Sequence, residues 1–395
     1  MTSDFENQFL AKVVPGPAER LVLLACSSDS GTNTEIKALY EQVGDEVAWQ
    51  VAKQHELEGN LGHRLIDILG EQVPLRWRAA HETVGNRIGA YLNEVDRMAA
   101  RLAQQDIPLV ALKNAGIARG VYQCAGCSPM GDVDLLVRRA DYRRVHAILL
   151  EEGFTCDSRN VTEEGTLEEG EVTGGTEYHK EIPDVGTFWL ELQWRPVSGR
   201  WLRPDQEPNG DELVSRSVPI EGTHLRLLNP EDNLLQVCLH TAKHTYLRAP
   251  GLRLHTDVER IVRQLQIDWE AFLAKAKALQ VRTSTYFSLW LPARLLNTPV
   301  PDAVLSELAP SRRKRKAILK RLQRAGLFYP ARPKFSNIAY IRFNSLLYDS
   351  SNGLVRAIFP DTEWMKKRYG FRSALLLPYY HVRRIADLGL RRVGI

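Results

Sequence analysis

In GDVDLLV, residues 131–137, two aspartates occupy alternate positions of an otherwise apolar run. Strand residues two apart leave the same face of a sheet. Asp132 and Asp134 would therefore project side by side, and a carboxylate in a strand interior is costly to bury. Two arrangements relieve that cost: the pair lies at a strand end facing water, or a cation sits between the two charges. Mg²⁺ takes one or two carboxylates together with substrate phosphates, so the second arrangement carries chemistry. A third carboxylate on a neighbouring strand would complete a two-metal site, and Glu191 is the candidate. In TFWLELQWRP, residues 187–196, Phe188, Leu190, Leu192 and Trp194 make one fully apolar face. Trp189, Glu191, Gln193 and Arg195 make the other, so Glu191 either joins the aspartates or pairs with Arg195 on an exposed face. Two metals about 3.5–4 Å apart clamp both the attacking and the leaving oxygen of a phosphoryl displacement, which is the physical reason for three clustered acids.

Outward from these two segments the pattern changes. Upstream, Val84, Ile88, Tyr91, Leu92, Val95, Met98 and Leu102 recur at helical spacing, and residues 1–106 read as helical. DIPLVALK, residues 106–113, has the punctuation of a short strand, and the glycine-bearing segment NAGIARGVY follows it. After the aspartates, RRADYRRVHAILLEEGF is an amphipathic helix with Tyr142, Val145, Ile148 and Leu149 on one face and Gly153 at its end. The acidic, glycine-rich stretch 163–175 reads as a loop or hairpin. Past Pro219 the chain turns helical again. Asn229, Pro230 and two acids give a strong helix start. The pattern predicts an α+β chain in three parts: helical 1–106, a small α/β core over 107–220, and helical 221–395.

Composition bounds the class. The 395 residues are 44% hydrophobic and 25% charged, with formal net charge +4, an ordinary globular balance that does not by itself point to nucleic acid. Five cysteines, an odd and sparse set, argue against a disulfide framework and for a reducing compartment. The N-terminus lacks a basic segment followed by an apolar core, and no apolar run approaches membrane-spanning length, so a cytoplasmic protein with no membrane partner is expected.

The ordered set LKNAGIARGVY (112–122), GDVDLLV, LLEEGF (149–154) and FWLELQW (188–194) resembles the nucleotidyltransferase superfamily related to DNA polymerase β. It is most similar to the bacterial branch described as uncharacterised nucleotidyltransferases. The likeness extends to LHTAKHTYLRAPGLRLHTDVERI (239–261) and FPDTEWMKKRYG (359–370), from about residue 45 to 390. The resemblance implies a polymerase-β-like nucleotidyltransferase core, a small mixed sheet with helices, between helical N- and C-terminal regions. It implies transfer of a nucleoside monophosphate from an NTP such as ATP to a hydroxyl or phosphate acceptor, with release of pyrophosphate. Asp132 and Asp134 would hold Mg²⁺, or Mn²⁺ in its place, and through it the triphosphate. Glu191 would hold the catalytic metal and help deprotonate the acceptor. Lys113 would neutralise phosphate charge, its alternative being an ordinary surface lysine. Asn114, Ala115 and Gly116 would bring backbone N–H groups to the phosphates. Two positions depart from the family pattern: Asn114 stands where glycine usually follows the lysine, and Gln193 where a histidine usually precedes the tryptophan. Glutamine cannot take up a proton.

Other features have plainer readings. His240 and His244 are one helical turn apart, a spacing that can bind Zn²⁺, but without a following catalytic glutamate they read as packing or polar contacts rather than a metal site. Cys124 and Cys127 form a single CxxC with no second pair, which is not read as a metal or redox centre. The basic run 311–324 reads as a solvated helix face with Ile318 and Leu322 inward, and it is the only support for an RNA acceptor such as tRNA. Arg253 and Asp257 read as a structural tie between helices. Asn114 and Gln193 also motivate a rival reading, a non-catalytic nucleotide-binding or scaffold protein.

Overall fold

The computed structural model describes residues 4–14, 16–157, 166–196, 202, 206–328 and 334–390. It is an α+β structure built on one mixed sheet. In chain order the strands are β1 (Leu109–Ala111), β2 (Val133–Leu136), β3 (Thr155–Cys156), β4 (Gly175–Ile182), β5 (Gly186–Gln193), β6 (Val218–Pro219) and β7 (Leu225–Leu227). Their order across the sheet is β3-β4-β5-β2-β1-β7-β6. β2 lies at the centre, parallel to β5 and antiparallel to β1, and β1 is parallel to β7.

Strand alternation divides the sheet into two unlike faces. Leu109, Ala111, Val133, Leu135, Phe188, Leu190 and Leu192 point to one side and pack against the helices Leu75–Ala103 and Tyr142–Glu151. The long helix meets the sheet with the expected stripe, Ile88 through Leu102. The other face carries the acids. It has a small apolar cluster of its own, Val110, Leu112, Leu136, Leu213, Val214 and Leu228.

Three expectations are revised. The stretch after the undescribed residues 158–165 is a short helix, Leu167–Thr173, followed by β4, a strand the sequence did not announce. The sheet continues past residue 220 to include β7. Cys124 and Cys127 are joined as a disulfide across one turn, while Cys26, Cys156 and Cys238 are free. Among the described residues no helix is long and apolar enough to cross a membrane.

The helices from the two ends of the chain share one core. Phe9, Leu21 and Leu23 bury against Leu234, Leu239, Phe287, Ile318 and Phe343. The helix Pro230–Lys243 starts as its sequence demands: the Asn229 side chain accepts from the Asp232 N–H at 2.9 Å. It then runs so that its last turn lies over the acidic face of the sheet.

Candidate active site

Parallel pairing of β2 with β5 sets Asp134 opposite Glu191. Paired strands lie about 4.8 Å apart, and the two carboxyl groups hydrogen-bond to each other. Asp132 immediately precedes β2, two residues from Asp134, and its charge reaches Lys113. Lys113 Nζ donates to Asp134 Oδ1 at 2.5 Å, with both side chains buried. Gln193 Nε2 donates to the same oxygen at 2.7 Å. Asp134 and Glu191 are thus brought together, with Lys113 set against Asp134 and Asp132 just ahead of the same strand.

The electrostatics show how unevenly this cluster is satisfied. Burial raises the Glu191 carboxyl, the neighbouring Asp134 charge raises it further, and it is pushed up to about 7. Burial would also raise Asp134, but the Lys113 ammonium overcomes that and holds it below the usual carboxylate range. Lys113 loses solvation on burial, yet Asp134 and Glu191 hold its pKa above the ordinary lysine value. One carboxylate is compensated by a lysine and its neighbour by a proton. A cation that displaced the lysine and the proton would find hard oxygen donors of the kind that suit Mg²⁺ or Mn²⁺.

Lys113 opens the helix Lys113–Gly120 with φ 47°, a left-handed conformation at a non-glycine residue. That conformation costs about 1–2 kcal/mol and is maintained where the ammonium meets Asp134. The segment after it divides in its roles. Asn114 and Ala115 occupy the first turn, where N–H groups have no intrahelical partner. Gly116 differs: its N–H donates to the Leu112 carbonyl at 3.2 Å. A Cβ on Gly116 would lie 2.5 Å from the Ala111 carbonyl oxygen. Its missing side chain serves helix–strand contact, and its N–H is not free for a phosphate.

Sequence reasoning missed the opposite wall. The helix Pro230–Lys243 brings Lys243 to the cluster, where Lys113 repels it and Glu191, Asp134 and Glu207 attract it. Burial holds Lys243 below the ordinary lysine value. His240, also felt by Lys113 and Lys243, is kept well below the usual histidine range by burial. His240 and His244 have ring centroids 4.7 Å apart, and His244 Nδ1 meets the Ala249 carbonyl oxygen at 2.7 Å, so the pair packs ring against ring with a polar contact to the backbone. The signal in the sequence was His240-x-x-Lys243-His244, one lysine between two imidazoles at one end of a helix, but its seat depends on packing.

The remaining candidates fall elsewhere. Arg195 pairs with Glu207 through Nε and Nη2, at 2.9 and 2.8 Å, which removes the Arg195 alternative for Glu191. Arg253 ties the loop ahead of Asp132 by donating to the Pro129 carbonyl at 2.6 Å. Asp257 is buried facing Arg260, Arg253 and Lys113, and burial pushes it up to about 7. In the basic helix Arg312–Ala325, Ile318, Leu319 and Leu322 face inward, and Arg315 pairs with Glu6.

A family model described as uncharacterised nucleotidyltransferase matches residues 41–297, well over half of the chain. The chain belongs to this nucleotidyltransferase family. No curated protein and no solved structure matches it significantly. The matched span takes in all seven strands, both walls of the cluster and the loop that carries Cys124 and Cys127.

Proposed function

We propose that the chain is a Mg²⁺-dependent nucleotidyltransferase that moves a nucleoside monophosphate from an NTP to a hydroxyl or phosphate acceptor and releases pyrophosphate. The observation that carries this reading is the pairing of Asp134 with Glu191 across β2 and β5, with Asp132 two residues away. Asp132 and Asp134 would hold the cation, and Glu191 would share it. When bound, the cation supplies electrostatic stabilisation of the phosphoryl oxygens. Glu191, freed of its own proton when it shares the cation, would accept the proton of the acceptor. Lys113, which compensates Asp134 in this structure, would be free to neutralise triphosphate charge when Asp134 holds the cation. The first-turn N–H groups of Asn114 and Ala115 add to that cradle. Lys243 and His240 face the same space from the opposite wall.

Gln193 cannot act as a base, yet it donates to Asp134 and so can orient that carboxylate. This favours an enzyme over a scaffold derived from the same fold. On this reading the sheet and its flanking helices form a polymerase-β-like core. The reaction belongs in the reducing cytoplasm, where free thiols persist.

The test is NTP binding with and without Mg²⁺, followed by pyrophosphate release over a panel of small-molecule, protein and RNA acceptors. Turnover should require Mg²⁺, and Asp134→Asn should lower it about 10³-fold, the kinetic equivalent of several kcal/mol of lost stabilisation. Tight NTP binding that ignores Mg²⁺, with no turnover on any acceptor, would overturn the reading in favour of a scaffold.

A further inference from the structure

We propose that His63, His81, Cys124 and Cys127 form a structural Zn²⁺ site, separate from the three acids. The four side chains come from three elements. His63 lies on the helix Glu58–Leu69, His81 on the helix Leu75–Ala103, and Cys124 precedes and Cys127 ends the single turn Ala125–Cys127. One donor atom from each lies within 4.8 Å of every other. Tetrahedral zinc with two sulfur and two nitrogen ligands sets its donors about 3.3–3.8 Å apart. Small side-chain movements therefore convert the cluster into a closed Cys₂His₂ set.

One imidazole has the outer hydrogen-bond acceptor that a zinc ligand needs, and the other has a carboxylate within a short movement of it. His63 Nε2 faces the Asp67 carboxylate at 3.7 Å. His81 Nδ1 meets the Gly59 carbonyl at 3.1 Å. In each ring the nitrogen nearer that acceptor would carry the proton, leaving the other nitrogen's lone pair for a metal. The two rings lie nearly parallel, with centroids 5.2 Å apart.

The backbone around the cluster is built for close approach. A Cβ on Gly126 would sit 2.3 Å from the His81 ring, and one on Gly59 would sit 2.2 Å from the Gly126 carbonyl oxygen. Only glycines let the cysteine turn seat itself between the two helices. Beyond it, Arg260 donates to the Cys127 carbonyl at 2.8 Å and to Ser128 Oγ at 3.2 Å. The same loop continues to Asp132. Zinc would fix two helices and the entry to the acidic strand at one point.

The two sulfurs are joined as a disulfide in this structure, so metal binding requires the dithiol. A dithiol reductant supplies the two electrons: the Cys124–Cys127 bond breaks, two thiols form, and the reductant becomes a disulfide. Zn²⁺ then replaces the two thiol protons, which go to solvent.

The test uses the full chain, kept in a dithiol reductant, loaded with Zn²⁺ and freed of loosely held metal. Elemental analysis should find about one zinc per chain, a closed four-ligand site. With Co²⁺ in its place, a thiolate-to-metal charge-transfer band and tetrahedral d–d bands should appear. Cys124→Ser and His81→Ala should each abolish stoichiometric zinc, whereas Cys156→Ser should retain it. Asp67→Asn should weaken zinc binding about 10–100-fold, the usual loss for an outer-shell partner. Zinc removal should speed amide exchange across residues 124–132. A folded, reduced wild type without stoichiometric zinc and without the cobalt charge-transfer band overturns the proposal, and so does a disulfide that persists in the reductant. The wild-type cobalt spectrum decides the matter even where a variant fails to fold.

Discussion

Glu191 is the residue on which the proposed chemistry and the pH behaviour meet. Its carboxyl is pushed up to about 7 by burial and then by the Asp134 charge, against 4.5 for a free glutamate. Between these values the folded, metal-free protein keeps a proton that the unfolded chain has lost. The contribution of this group to stability is therefore full below about pH 4.5 and is lost as pH rises past about 7. A divalent cation shared by Asp134 and Glu191 displaces the same proton. Mg²⁺ binding at about pH 6 should release close to one proton per ion, and almost none at about pH 8.5. Calorimetry in buffers of different ionisation enthalpy reads this directly. Glu191→Gln should remove the pH dependence. Proton release that survives in Glu191→Gln would assign the proton to another group and take Glu191 out of the metal site.

At the scale of elements, the position of Lys113 depends on how the helix Lys113–Gly120 rests on β1. Gly116 sets that contact, because a Cβ there would meet the Ala111 carbonyl oxygen at 2.5 Å and backbone cannot easily yield. Gly116→Ala should cost about 1–3 kcal/mol, the usual range for overpacking. Gly89, inside the helix Leu75–Ala103, has open space where a Cβ would go. Gly89→Ala should instead stabilise by about 0.5–1 kcal/mol through helix propensity. Urea denaturation of the two variants distinguishes them, and a neutral Gly116→Ala would mean the helix can slide on the strand. The same contrast explains what the sequence made legible. β2 and β5 declared themselves by alternation, because one face of each is wholly apolar. β4, GTEYHKEI, has charged residues on both faces, and its strand state comes from pairing with β3 and β5. β7 is three residues long, too short for any period. The acids were visible because local strand parity places them. Lys243 and His240 reach the cluster only through the seating of a helix on a sheet, and His63 and His81 reach the cysteines only through the crossing of two helices. No local pattern carries either relation.

Over the whole molecule, the family match and the folding unit do not coincide. The match ends at residues 41 and 297, yet the core passes through both limits. Phe9, Leu21 and Leu23 on one side and Ile318, Leu322 and Phe343 on the other are almost fully buried against the matched helices. The pair Glu6–Arg315, at 2.7 Å, joins the two outer segments directly. Each such apolar side chain contributes about 1.5–3 kcal/mol when buried, while a whole domain has only about 5–15 kcal/mol in hand. Removing six of them also leaves their partners, Leu234, Leu239 and Phe287 among them, facing water. A fragment of residues 41–297 should therefore keep helical circular dichroism but lose its cooperative thermal transition and bind hydrophobic dyes. The helix Pro230–Lys243 is packed on one side by this shared core and on the other presents Lys243 and His240 to the acids. Loss of the core should thus also loosen the wall that carries Lys243 and His240, and Mg²⁺-dependent NTP binding should fail with the melt. A fragment that melts cooperatively within a few degrees of the full chain would show that the outer helices merely cover a self-sufficient centre, and that the position of Lys243 is set by the sheet alone.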